Sequence, residues 1–211
     1  MLANVRDHIA ASARLARRSP AEITLIAVSK TRAIEQIEPL IAAGLRDFGE
    51  SRVQEAATKW PALRAAHPDI RLHMIGQLQS NKAAEAVALF DTIHSLDRPS
   101  LLAALSVAAA KAHRFPACFV QVNVGEEEQK GGIAPADLGA FLSTVRASPL
   151  PLAGLMGIPP AELEPAPFFA FLSELARRHD VTGLSMGMSA DYEIAVKLGA
   201  THVRVGSALF A

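Results

Sequence analysis

The chain has 211 residues, half of them apolar, with Lys plus Arg equal in number to Asp plus Glu. That is enough apolar material for one sizeable core, and zero net charge gives no basis for binding nucleic acid or an anionic membrane. No apolar run reaches bilayer-spanning length. The one cysteine, Cys118, excludes an internal disulfide, which fits a reducing cytoplasm.

Residues 2–18 read as a polar surface helix rather than a signal peptide, with Arg14, Arg17 and Arg18 on a solvated face. From there β-rich runs alternate with helical stretches. The runs are ITLIAVS (23–29), RDFG (46–49), IRLHMIG (70–76), DTIHSL (91–96), ACFVQVNV (117–124), LAGLMGI (152–158), GLSMGM (183–188) and HVRVGSALF (202–210). The helical stretches are 33–44, 51–66, 80–89, 98–113, 135–147, 162–179 and 190–199. A helix in every gap implies parallel strands, because each helix must carry the chain back. Eight such units predict a single α/β domain over 1–211, a (β/α)8 TIM-type barrel with an extra N-terminal helix. An open doubly wound sheet is the alternative, but SKTRAIEQ after the first strand lacks the glycine turn of a dinucleotide site.

Alternation in the first strand puts Thr24, Ile26, Val28 and Lys30 on one face. Lys30 then ends the strand at the rim where barrel active sites are built. Held among apolar walls, its amine would be a nucleophile toward an aldehyde. A lysine simply meeting solvent at a strand end is equally consistent. The seventh and eighth strands end in GLSMGMSADYE and RVGSALF. Gly187 allows close backbone approach, Ser185, Ser189 and Ser207 offer hydroxyls, and Gly206 and Ser207 offer N–H groups. These are the loops that hold phosphate in such barrels, although small residues also ease tight turns. Ser189 reads as the N-cap of the next helix. Arg204 faces the same way as Gly206 and needs a partner: a bound anion, a ring nitrogen, or a carboxylate from a neighbouring strand.

Gln77, Asn81 and Asn123 mark the same rim, and His73 and His94 lie within strands, where a satisfied interior role is expected. His113 and His179 read as helix-end residues, and no histidine spacing argues for a metal. GEEEQKGG (125–132) reads as a solvated loop rather than a lid. Cys118, inside an apolar run, is expected to be buried and unreactive.

Taken together, LIAVSKT (25–31), DFGESRVQE (47–55), LHMIGQLQSNK (72–82), IHSLDR (93–98), VQVNV (120–124), GLMGI (154–158) and LSMGMSADYEIAVKLGATHVRVGSALF (184–210) resemble the pyridoxal 5'-phosphate (PLP) homeostasis protein family, which is related to the N-terminal barrel of alanine racemase. The resemblance implies that Lys30 carries PLP as a Schiff base and that Ser185, Gly206 and Ser207 bind its phosphate. It implies that Arg204 meets the pyridine nitrogen, while Met186, Gly187, Met188 and Ser189 shape the pocket. Ser51 stands where the family usually has Asn, which is expected to weaken a contact near the ring oxygen. Gly131 stands where a Ser often follows Lys130. The chain ends at Ala211, which is expected to leave the closing edge of the barrel less covered.

A guanidinium only donates hydrogen bonds, so Arg204 would favour an unprotonated ring nitrogen and a poor electron sink. Two-base racemisation needs an acid/base on each substrate face. The only tyrosine, Tyr192, falls on the helix after the seventh strand. The expected function is therefore PLP holding without strong catalysis, with apo-enzymes as recipients, in a cytoplasmic monomer. The alternatives are a PLP-dependent amino-acid racemase and a lysine-dependent aldolase acting on a sugar phosphate.

Overall fold

The computed structural model describes residues 1–210; Ala211, on which the expectation about the closing edge rests, lies outside them. Eight parallel strands close in sequence order into a barrel: β1 (Thr24–Val28), β2 (Asp47–Glu50), β3 (Arg71–Met74), β4 (Thr92–Leu96), β5 (Ala117–Val122), β6 (Leu152–Gly157), β7 (Gly183–Met188) and β8 (His202–Val205). Closure comes from β1 pairing with β8, with Ile26 opposite Arg204 and Ala27 opposite Val205. The helices are α1 (Leu2–Leu15), α2 (Ile34–Ala42), α3 (Val53–Ala66), α4 (Ala83–Leu89), α5 (Pro99–Ala112), α6 (Leu138–Arg146), α7 (Pro165–Arg178), α8 (Tyr192–Lys197) and α9 (Ser207–Phe210). The predicted (β/α)8 barrel with an extra leading helix is the observed fold.

Local chemistry explains most boundaries. Pro99 and Pro165 open α5 and α7, where a missing N–H costs nothing. His113 ends α5 in the left-handed region at φ 50°, and His179 follows the last residue of α7. In α1, Leu2, Val5, Ile9 and Ala13 form one buried stripe. Arg18 then reaches across to donate to the carbonyls of Val196, in the last turn of α8, and Ala200, just past it, at 3.0 and 2.8 Å. Arg18 is thus a clamp rather than part of a freely solvated face. The eighth run is shorter than the sequence suggested. Its strand stops at Val205, the last residue paired with β1, and Leu209 N–H turns back to the Gly206 carbonyl at 2.9 Å to start α9.

The sheet packs on both faces, an apolar layer outside and a mixed one inside. Outward residues such as Phe48, Leu72, Ile93 and Val203 pack against the helices, and Phe48 meets Trp60 of α3 with ring centroids 5.0 Å apart. Inside, the Phe119 ring stacks on His94 at 4.5 Å. It fits because β6 and β7 carry Gly154 and Gly183 there: a Cβ on Gly154 would lie 2.5 Å from Phe119 Cε1. Cys118 is fully buried, and burial pushes its thiol up to about 12, so it is unreactive.

Candidate functional site

The carboxyl ends of the strands form the mouth of the barrel. β1 ends at Val28, and Lys30 follows in an exposed turn, so it is not held among apolar walls as the alternation suggested. Thr31 beside it sits at φ 60°, a costly conformation for a β-branched residue. The turn is held by what surrounds it. Thr31 N–H donates to Glu55 Oε1 at 2.6 Å, and Arg32 N–H to the Ser29 carbonyl at 3.1 Å. Lys59 Nζ donates to the Ser29 carbonyl, Glu50 Oε1 and Glu55 Oε1 at 2.8, 3.0 and 2.9 Å. Glu50 is fully buried and also accepts from Ser29 Oγ and Trp60 Nε1. Sequence reasoning missed this clamp. Glu50 and Glu55 lay inside a quoted motif, but nothing in their spacing linked them to Lys59 or Trp60.

The β7 and β8 ends meet directly: Gly206 N–H donates to Ser189 Oγ at 3.0 Å. Ser189, Gly206 and Ser207 are all at least partly exposed there. The helix that follows β7 is capped at Asp191 rather than Ser189, and Asp191 Oδ1 accepts from Met188 N–H at 2.6 Å. Met186 is packed in the core with no exposed surface. Gly187, at φ 92°, serves helix packing: a Cβ there would lie 2.6 Å from Ala195 Cβ of α8. Met188 is exposed.

Ser185 is not at the surface of this loop. It is fully buried inside β7, and its hydroxyl meets His94 Nδ1 at 2.8 Å and Arg204 Nη1 at 2.7 Å. Arg204 is buried too, and its other contact is the Gly157 carbonyl at 3.3 Å. It makes no ion pair among the described residues, so the carboxylate considered from the sequence is not there. Burial draws its pKa down to about 10, partly offset by the charge of Asp191. The guanidinium still carries its charge at neutral pH.

On the opposite rim, residues 125–133 fold back onto β5. Asn123 N–H donates to the Ile133 carbonyl at 2.9 Å, Ile133 N–H to the Gln121 carbonyl at 2.8 Å, and Gln121 Nε2 to the Gly131 carbonyl at 3.0 Å. The segment is tied down rather than freely solvated, and it borders a cavity of about 240 Å³ lined by Gln77, Gln121, Asn123 and Lys130. Gly131 matters here: a Cβ on it would lie 2.2 Å from Gln77 Nε2, so a Ser would displace that amide. Ser51 lies against Gly76, whose Cβ would meet its carbonyl oxygen at 2.4 Å. Asn81 lies in the helical turn before α4, away from these contacts. Tyr192 is buried on α8 with its hydroxyl on His8 Nδ1 of α1, at 3.2 Å. Among the described residues no His, Cys, Asp and Glu side chains group to hold a metal, and no helix is long and apolar enough to cross a membrane.

The model of the alanine racemase N-terminal domain family matches residues 2–211. A pyridoxal phosphate homeostasis protein of Pseudomonas aeruginosa is 41% identical over 221 residues, covering 99% of this chain and 93% of that protein. Its Escherichia coli counterpart is 38% identical over 225 residues, covering 99% and 94%. PipY of Synechococcus elongatus, solved with PLP bound, superposes with a TM-score of 0.83 at 41% identity, covering 96% of this chain and all of that one. Alanine racemase of Clostridium difficile superposes at 0.72 over 99% of this chain and 56% of its own length, but at 16% identity, a likeness of fold alone.

Proposed function

We propose that this chain, which belongs to the alanine racemase N-terminal domain family and groups there with the pyridoxal phosphate homeostasis proteins, is a single-domain PLP-binding protein that holds the cofactor as a Schiff base on Lys30 without strong catalysis. The observation that carries this reading is Arg204, a buried guanidinium beneath the barrel mouth bonded to a hydroxyl and a carbonyl, with no carboxylate in contact and Asp191 acting only through space. A buried cation left in this state calls for an acceptor, and a pyridine nitrogen is one.

The other groups suit the same ligand. Lys30 offers an exposed amine in a braced turn. Ser189, Gly206 and Ser207 offer hydroxyl and N–H donors for a phosphate, and the Gly206–Ser189 hydrogen bond is one that a phosphate oxygen can replace. In this reading Ser185 acts through Arg204, and Met186 and Gly187 support the loop from the core side. PLP supplies a reactive aldehyde and, when its ring nitrogen is protonated, an electron sink. Arg204 donates and cannot accept, so it would keep a proton off that nitrogen and blunt carbanion chemistry. The sole tyrosine is engaged with His8, which supports holding over two-base racemisation. The protein would mask the aldehyde and release PLP to apo-enzymes, as a cytoplasmic monomer without nucleic-acid or membrane partners; zero net charge supports the last point.

Borohydride reduction of the purified protein followed by digestion tests this. A pyridoxyl label on Lys30 is expected; a label on Lys59 or another lysine, or none, overturns it. Incubation of the PLP-loaded protein with single-enantiomer amino acids tests the racemase alternative. Loss of optical rotation at enzyme-like rates would establish that alternative.

A further inference from the structure

Beneath the mouth, five strands contribute to one unbroken line of polar side chains. Arg204 Nη1 (β8) donates to Ser185 Oγ (β7) at 2.7 Å. Ser185 Oγ lies 2.8 Å from His94 Nδ1 (β4), and His94 Nε2 lies 3.0 Å from His73 Nδ1 (β3). His73 Nε2 lies 2.9 Å from Asp47 Oδ1 (β2). Asp47 is the first residue of its strand, and Arg71, the first of β3, grips it with two hydrogen bonds of 2.8 and 2.6 Å. The line therefore runs from the catalytic-type rim to the opposite end of the barrel, and all five members are buried.

The chemistry of the two ends sets the direction of every proton. Arg204 cannot accept, so it occupies a lone pair of Ser185 Oγ, and the Ser185 hydroxyl proton is left for His94 Nδ1. His94 Nδ1 is then an acceptor, its proton is on Nε2, and Nε2–H donates to His73 Nδ1. His73 in turn holds its proton on Nε2 and donates to Asp47, which as a carboxylate can only accept. Both ends demand the same order, and each group is used once. In the reverse order Ser185 would accept twice and its own proton would have no acceptor among its contacts. The surroundings agree with a neutral His94. His202 lies 6.0 and 6.4 Å from the His94 and His73 rings, and burial draws it down to about 4. Burial, then the nearby His73, His202 and Arg204, holds His94 well below its ordinary value. The charged groups facing the line are Arg71 at the Asp47 end and Asp191 at the Arg204 end.

We infer that Asp47, His73, His94 and Ser185 are positioning residues that act as a relayed counter-charge for Arg204. Every O–H and N–H dipole in the line points its negative end at the guanidinium. Arg204 is stabilised as a cation although the carboxylate hydrogen-bonded into its line stands three side chains away, with Asp191 adding to it only through space. A carboxylate in direct contact would have taken the guanidinium donors as a pair; the relay uses one and leaves others for the ligand. The inference deepens the PLP reading and rests on it for the identity of that ligand, a ring nitrogen.

Two measurements test it, and the first needs no cofactor. Nitrogen-15 spectra of histidine-labelled protein without PLP, assigned by backbone-to-ring correlations, are expected to show His73 and His94 both as neutral Nε2–H tautomers at neutral pH. A Nδ1–H tautomer at His94, or an imidazolium at His73, overturns the relay whatever the cofactor reading. The second uses PLP-loaded His94→Phe, which keeps the ring stack on Phe119 and cuts the line. Binding of PLP is expected to weaken by about tenfold, with a moved pH midpoint in the cofactor's absorbance and Lys30 still labelled by borohydride. Unchanged affinity and midpoint overturn the relay. Failure of the wild-type protein to label Lys30 would instead strike the PLP reading alone.

Discussion

Ser189 Oγ accepts a hydrogen bond from Gly206 N–H at 3.0 Å, and this contact joins the ends of β7 and β8. It is the point at which the two small-residue loops, read separately in the sequence, meet.

That geometry predicts a ligand-dependent loss. Ser189→Ala is expected to weaken PLP binding by about tenfold, the worth of one hydrogen bond to a charged group. Binding of pyridoxal, which lacks the phosphate, should be nearly unchanged. Isothermal titration with both ligands measures the difference, and an equal loss for both would remove Ser189 from the phosphate site.

The clamp behind Lys30 predicts a stability cost rather than a binding one. Lys59 pairs with Glu50, which is fully buried, and with Glu55. Lys59→Met leaves the Glu50 carboxylate without its cation and is expected to cost about 3 kcal/mol. Urea unfolding of the cofactor-free protein measures it; a change below about 0.5 kcal/mol would show that the clamp is not holding the turn.

Gly183 tests the packing of the lumen. A Cβ there would lie 2.0 Å from the Ala153 carbonyl oxygen and 3.1 Å from Phe119 Cε1. The first of these is backbone and cannot swing aside, so Gly183→Ala should destabilise by about 3 kcal/mol. Thermal unfolding followed by circular dichroism would register the drop, and a wild-type midpoint would contradict the β6–β7 approach.

His202 predicts how stability depends on pH. Burial holds it at about 4 in the folded protein, against 6.5 when unfolded. The unfolded chain therefore binds the proton first as pH falls. Its contribution is complete above pH ~6.5 and is lost progressively down to about 4, on the order of 3 kcal/mol. His202→Gln should flatten the profile in that window. Asp47 acts lower down. Burial raises it, but the hydrogen bonds from His73 and Arg71 outweigh burial and hold it below its ordinary value. Its contribution is present above about pH 4 and falls away in more acid solution. Denaturant unfolding from pH 8 to 3 separates the two; an unaltered slope in His202→Gln would refute its share.

The order and kind of the elements, α9 excepted, were legible in the chain alone, because apolar periodicity and Pro, Gly and Ala placement are local properties. So was the rim location of Lys30, Ser189 and Gly206, since strand ends can be counted along a sequence. The tertiary structure decided what each strand residue faces. Ser185 and Ser189 look alike in LSMGMS, yet one is buried against Arg204 and the other opens to the mouth. His73 and His94 were two interior histidines until the offsets between neighbouring strands aligned them with Asp47 and Ser185. Lys59 and Glu50 met only when α3 packed on β2. Strands buried on both faces carry little alternation to mark the lumen side. Contacts across a barrel depend on strand register and tilt, which are set by the packing of the whole sheet rather than by any one segment.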